Sequence, residues 1–307
     1  MKVLAFITSL ALWVSAPFAA AREVSVVVTV NPLALLLEEV GGDRLSVAVL
    51  VPPGASPHGF APRPSDLVKV ARADGFLSVG GGLDDWAQRL LAAAGASTSA
   101  KTLLGLVGFD DRAASPHDHG SRSHADPLDP DPHIWLDPIF VQQEIVPELV
   151  GWLSEIDPTG AQTYSERGLA FARRLDRLDR DLRDLLGSDA RHYVAFHSAW
   201  HHFARRYALE EIAVVQEAAG EEPTPRELGN LVREARRAKL GAILIEPQLD
   251  PRIAQTLSDE FGGTTVVVDP LGHPHDPERS TYPNLLRFNA RAFRVAMDRH
   301  AERGATR

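Results

Sequence analysis

Beyond residue 22 the apolar and polar positions alternate between two regimes. Short β-branched runs at 23–30, 45–51, 75–79 and 102–107 predict strands, and the segments 33–40, 65–73, 84–94 and 140–155 between and after them predict helices. A second series follows, with strands expected at 192–196, 212–216, 242–246 and 264–269 and helices at 198–207, 225–239, 252–261 and 282–302. Strand and helix in regular alternation specify parallel sheets with helices on their faces. The chain therefore reads as α/β, arranged as two (β/α) lobes.

Between the two series, 159–186 contains no proline and carries Leu175, Leu178, Leu182 and Leu185 at alternating spacings of three and four, an apolar stripe on a helix. Asp176 with Arg180 and Asp179 with Arg183 add i,i+4 pairs on its outer side. At 1.5 Å per residue such a helix runs about 40 Å, enough to bridge two lobes. The predicted organisation is a first lobe over 22–158, a rigid linking helix over 159–187 that restricts hinge motion, and a second lobe over 188–307. Inside the first lobe, 108–131 has almost no apolar residues and carries several prolines with His117, His119 and His124, the pattern of a flexible loop.

Residues 1–21 differ from the rest. Lys2, an apolar run over 3–14 and the small residues of 15–21 have the order of a secretory signal peptide, with cleavage expected near Ala20 or Ala21. The apolar run is shorter than the roughly 18 to 20 residues of a membrane-spanning helix. The chain has no cysteine, which excludes disulfides, a lipid-modified N-terminal cysteine and thiolate metal chemistry, and leaves His, Asp and Glu as the strong ligands. A periplasmic protein without a lipid anchor is the expectation. At 307 residues the chain exceeds the roughly 250-residue range of a single core, in keeping with two lobes. Its formal net charge of −9 argues against nucleic acid as a partner.

Open α/β sheets present ligands just beyond the carboxyl ends of their strands, and four candidate residues fall there. His58 follows the 45–51 strand through the stiff turn Pro52-Pro53-Gly54-Ala55-Ser56-Pro57; His133 lies in Asp131-Pro132-His133-Ile134-Trp135-Leu136-Asp137-Pro138. His197 directly follows the apolar run of 193–196 and is expected to open the next helix, and Asp269 closes Val266-Val267-Val268. Singly, each reads as readily as a structural hydrogen-bonding histidine or a turn aspartate. Together, three imidazoles and a carboxylate suit zinc, and manganese or iron could use them as well. Glu246, at the end of 243–245, is placed to orient a ligating histidine by accepting its other N–H. His201 stands i,i+4 from His197, the spacing of a zinc-protease helix, but Ser198 occupies the place of the general-base glutamate, so His201 reads as a helix-surface residue. His273 and His275 sit in a Gly- and Pro-rich loop beyond Asp269, placed either to close over the cleft or to lie on the surface.

These motifs carry a resemblance. Ser56-Pro57-His58-Gly59-Phe60 with Arg63-Pro64-Ser65-Asp66, the segment around His133, His197-Ser198-Ala199-Trp200 with Phe203 and Tyr207, and Asp269-Pro270-Leu271-Gly272 occur in one order over nearly the whole chain. The set resembles the zinc- and manganese-binding solute-binding proteins of ABC transporters, the cluster A-I group. That resemblance implies two α/β lobes joined by a long helix and a metal held in the cleft by His58, His133, His197 and Asp269. A histidine at 197 is typical of zinc-type members, whereas manganese-type members often have glutamate there. Some zinc-type members also ligate through an acidic residue just before the first histidine; here that residue is Pro57, which leaves Asp269 or a water as the fourth ligand. His117, His119 and His124 resemble a short form of the family's His-rich loop, implying auxiliary metal capture or reception from a periplasmic metallochaperone. The implied function is capture of zinc and its delivery to a membrane permease by a monomeric, non-enzymatic receptor. The competing readings are a manganese or iron receptor, an exported zinc hydrolase using Glu246 or Asp269 as general base, and a receptor for a siderophore or anion. No nucleophile or hydrolase motif supports the hydrolase, and Arg63 alone among arginines stands beside the four motifs.

Overall fold

The computed structural model describes residues 23–95, 98–109, 131–187, 192–216, 224–237, 240–248 and 251–305. The first half runs β1 (Val24–Val28), α1 (Asn31–Gly41), β2 (Leu45–Val49), α2 (Pro64–Arg72), β3 (Gly75–Ser78), α3 (Trp86–Ala94) and β4 (Ser99–Thr102). A short turn of helix, α4 (Leu103–Leu106), closes it; α5 (Pro138–Phe140), a π-helical stretch over Val141–Ile145 and α6 (Val146–Ile156) then lead into α7 (Ala161–Leu186). The second half comprises β5 (His192–His197), α8 (His201–Tyr207), β6 (Glu210–Gln216), α9 (Pro225–Arg237), β7 (Ala242–Ile245), α10 (Pro251–Phe261), β8 (Thr264–Val267) and α11 (Tyr282–Ala305). The sheets are ordered β2-β1-β3-β4 and β6-β5-β7-β8, with every recorded pairing parallel. The two halves thus share one strand order, and the protein is a two-lobed α/β fold spanned by a long helix.

The period-two alternation of strands assigns the second sheet to two cores. Tyr193 and Ala195 of β5 and Ala242 and Leu244 of β7 point into a cluster that also holds Val26 and Phe76 of the first sheet. The alternate residues Val194, Phe196, Ile243 and Ile245 pack outward against Leu257 and Phe261 of α10. The larger cluster also takes in Phe171, Leu175 and Leu178 of α7 and Phe293 of α11, so one continuous apolar core joins the two halves.

Helix α7 is about 39 Å long at 1.5 Å per residue. It is tied to α1 by Arg167 donating to the Glu38 carbonyl at 3.0 Å and by an Arg174–Glu39 ion pair, and to α8 by Arg206 bonding both oxygens of Asp179 at 2.7 and 2.9 Å. Its C-terminal stripe departs from expectation, because Leu186 is buried while Leu185 is exposed. The i+4 step from Leu182 keeps the buried face where the 3.6-residue period requires it.

Two further expectations are corrected. The 102–107 strand is instead the end of β4 followed by α4, with Thr102 Oγ1 capping the helix by accepting from Gly105 N at 3.0 Å. The 198–207 helix begins only at His201, so His197 ends a strand and does not open a helix. Ala199 and Trp200 are fully buried and turn the chain, with Ala199 N donating to the His197 carbonyl at 3.0 Å, before α8 starts.

Candidate metal centre

Each of the three candidate histidines is aimed by a different local device. After β2 the chain continues the ladder through Leu50 N to Val28 O and Val51 N to Thr29 O, then enters the proline turn that carries His58. Trp86 pins that turn, its indole N–H donating to the Pro57 carbonyl at 2.8 Å and its ring lying 4.9 Å from Phe60. His58 itself hydrogen-bonds the Gly82 backbone, within a Gly80–Gly82 run whose three residues all have positive φ, which side-chain-bearing residues adopt at a cost. Asp84 shapes the start of that run by accepting from Val79 N and Gly80 N at 2.8 and 2.9 Å and from the Thr29 hydroxyl at 2.5 Å.

His133 precedes a 3-10 turn, Ile134–Leu136, whose three side chains are fully buried. Asp131 Oδ1 accepts from His133 N at 3.0 Å and pairs with its Nδ1 at 2.7 Å. His197 ends β5, which lies between β6 and β7, and Glu246 follows β7 beside it; His197 Nδ1 is 3.3 Å from Glu246 Oε1. This is the point where the strand order reverses, the usual ligand position in an open parallel sheet.

These devices converge. The ring centroids of His58, His133 and His197 lie 6.3, 5.6 and 5.4 Å apart, and one nitrogen from each ring falls within 4.8 Å of the other two. His58 Nε2 is buried with no hydrogen-bond partner. Since Asp131 and Glu246 take the Nδ1 atoms of the other two rings, their Nε2 atoms remain as donors. Tetrahedral bonds of 2.0–2.1 Å place ligand nitrogens about 3.3 Å apart, a small inward step from this arrangement.

The electrostatics differ around the triad. Burial, reinforced by His133 and His197, holds His58 down at about 3, so it stays neutral. Burial pushes His197 in the same direction, but the Glu246 carboxylate, helped by Asp131 and Glu211, outweighs it and raises the pKa. Between His58 and His197, a proton therefore sits preferentially on His197.

Asp269 is 2% exposed and, among the described residues, lies outside the three-histidine group. Its Oδ1 accepts from Leu271 N and Gly272 N, each at 2.9 Å, and its Oδ2 accepts from Arg279 Nη1 at 3.1 Å. Burial raises its pKa beyond what those donors offset. The loop around it grips the first half: Trp135 Nε1 donates to the Pro270 carbonyl at 2.8 Å, and Asn31 Nδ2 to the Leu271 carbonyl at 2.9 Å. At Gly272, where φ is 75°, a Cβ would stand 2.8 Å from the Arg279 carbonyl oxygen, so the tight turn admits no side chain.

His201 is exposed, and the next residue, His202, faces inward instead, its Nε2 3.0 Å from the Asp131 carbonyl oxygen. His273 and His275 pack ring to ring at 5.9 Å, outside the triad. His117, His119 and His124 lie outside the described residues. Asp131, His202 and Arg279 escaped the sequence reading; the two acidic or basic members had at most their nearness to His133 and Asp269 as a signal.

Two α/β halves on one long helix, with imidazoles from both halves meeting at the strand ends, define a metal-binding protein of the two-lobed class. Residues 26–296 match the family described as zinc-uptake complex component A, periplasmic (ZnuA), and the chain belongs to that family. It is 26% identical over 286 residues to the zinc-binding lipoprotein AdcA of Streptococcus pneumoniae serotype 4, covering 90% of this chain and 56% of that protein. The chain thus spans little more than half the length of that relative. It is 27% identical over 274 residues to the manganese-binding lipoprotein MntA of Halalkalibacterium halodurans, covering 87% and 86% of the two chains. A crystal structure of ZnuA superposes with a TM-score of 0.73 at 27% identity, covering 89% of this chain and 98% of that one.

Proposed function

We propose that this protein is an extracytoplasmic receptor that captures zinc between His58, His133 and His197 and delivers it to a membrane ABC permease. The observation that carries the reading is the convergence of three imidazoles, His133 buried and His58 and His197 half-buried, two of them oriented by carboxylates on their outer nitrogens. Neutral imidazole nitrogen suits zinc better than manganese, which favours carboxylate and water oxygen. The fourth position falls to Asp269 or a water, and the histidines of 108–131 serve as auxiliary capture sites or as the point of loading by a metallochaperone. Function as a monomer in the periplasm, after removal of 1–21, completes the reading; the expected absence of a lipid anchor stands against the relatives AdcA and MntA, which are named lipoproteins. Capture and release need no activated water, and relatives named for metal binding and uptake favour transport over hydrolysis.

Metal analysis of the purified protein with competitive titration against chelators tests the proposal. One tightly held zinc per chain, preferred over manganese, is expected. Absence of tight zinc binding would return the siderophore and anion readings to the front.

Glu246→Gln is expected to weaken zinc by roughly 10- to 100-fold, the usual loss when a carboxylate that orients a ligating histidine is removed. An affinity equal to wild type would leave Glu246 a bystander.

Binding also has a predicted pH dependence. Zinc displaces the proton from His197, whose pKa lies above the ordinary imidazole value near 6.5, while His58 is already neutral. Affinity should therefore rise as pH climbs through and beyond that value and fall on acidification. Calorimetry in buffers of differing ionisation heat should detect proton release on binding near pH 6.5; zinc binding with no proton release there would contradict the assignment.

A further inference from the structure

Of the carboxylates around the metal centre, Asp269 has both oxygens occupied. Asp131 holds His133 through Oδ1 while its buried Oδ2 has no hydrogen-bond partner, Glu246 faces His197 through Oε1, and Asp269 is bound through Oδ1 to two backbone N–H groups and through Oδ2 to Arg279. Arg279 is fixed in turn. Its Nε and Nη2 bond Asp276 Oδ2 at 2.8 and 2.6 Å, its guanidinium lies 5.0 Å from the Phe288 ring centroid, and its backbone is sewn into the loop by Arg279 N to Asp276 O and His273 N to Arg279 O. The planar guanidinium thus bridges two carboxylates as a preformed fork, an arrangement lysine reproduces only as a point charge.

We propose that Arg279 is a specificity-determining residue: by binding Asp269 Oδ2 it withholds an anionic oxygen from the cation and leaves a seat of three neutral nitrogens that disfavours manganese. The inference rests on the zinc-receptor reading of His58, His133 and His197 and names the source of its metal preference. Manganese gains most from carboxylate oxygen, zinc is content with imidazole, and the difference between the two cations is therefore set by whether Asp269 is free. A guanidinium on Oδ2 also neutralises the charge that would attract a hard cation, at a carboxylate buried enough for that neutralisation to be felt strongly.

The test is competitive titration of zinc and of manganese on the full chain carrying Arg279→Gln, with thermal melting as a check on folding. The manganese-to-zinc affinity ratio is expected to rise by about 10- to 100-fold, the size of an outer-shell effect. Adding Asp269→Asn to that variant should cancel the rise, and Arg279→Lys, which retains a positive charge beside Asp269, should keep most of the wild-type ratio. An unchanged ratio in folded Arg279→Gln, or a rise that persists in the double variant, would overturn the assignment. Should Arg279→Gln fail to fold, Asp269→Asn alone decides: zinc affinity should fall far less than in His133→Ala, and an equal fall would make Asp269 a ligand that Arg279 does not withhold. Loss of zinc binding in the wild type itself would sink the receptor reading, whereas tight wild-type zinc with an unchanged ratio would sink this inference alone.

Discussion

His133→Ala is expected to abolish tight zinc retention while leaving the protein folded. The imidazole is buried and supplies one of the three nitrogens that converge among the described residues, so its loss leaves two of them for a cation that prefers four donors. Loss of a ligand should exceed the roughly 10- to 100-fold penalty of losing an outer-shell partner. Folding should survive because the residues that seat this segment are Ile134, Trp135 and Leu136, all fully buried, and not the imidazole itself. The Asp131 carbonyl also keeps its contact with His202. Competition against a chelator on wild type and variant provides the measurement, and a near wild-type affinity would remove His133 from the centre. His58→Ala and His197→Ala should behave alike, since the three nitrogens act as one donor set.

Trp135→Ala should be the most damaging single change outside the metal centre. The indole is fully buried, its N–H donates to the Pro270 carbonyl at 2.8 Å, and the Trp135 carbonyl accepts the Tyr282 hydroxyl at 2.7 Å. Truncation of a buried aromatic of this size costs about 3–5 kcal/mol through lost transfer energy and the cavity left behind. It also strands the Pro270 carbonyl in the interior, a further cost of about 1–3 kcal/mol unless water enters. Tm should fall by at least about 5 °C, and zinc affinity should fall with it, because the residue ties the His133 segment to the Asp269 loop. Trp135→Phe, which keeps most of the packing but not the hydrogen bond, should lose less. A Trp135→Ala protein that melts with the wild type would show the contact to be expendable.

Much of the architecture was written in β-branched runs. Strands of a parallel sheet are covered on both faces, so Val24–Val28 and Ala242–Ile245 are apolar throughout and easily seen. The 102–107 run misled because Leu103 and Leu104 are equally at home in a buried helical turn, and the Thr102 cap, not hydrophobicity, chose between them. The onset of α8 was hidden for a related reason: Ala199 and Trp200 are good apolar residues for either state, and burial of the indole sets the turn. His58, His133 and His197 stood out as residues following strands or anchored turns. Glu246 stood out at the end of its strand as a carboxylate that could orient a histidine, although not which one; Asp131 and His202 did not, since they meet across 71 positions, a separation at which sequence spacing says nothing about contact. Arg279 is only ten positions from Asp269, but a loop of prolines and glycine has no fixed period from which its return could be read.

The larger of the two apolar cores runs through both halves and along α7 and bears on how a bound cation would leave. A receptor that closes on its cargo stores part of the binding energy in a shape change and can return it when it opens. Here the two halves are fused by their own interior, so little such spring exists. On the proposed receptor reading, the cation's residence time would be governed by the sequential breaking of imidazole bonds, and an unloading partner would act through the half-buried turn that bears His58 and not through the buried His133 segment or by prying the halves apart.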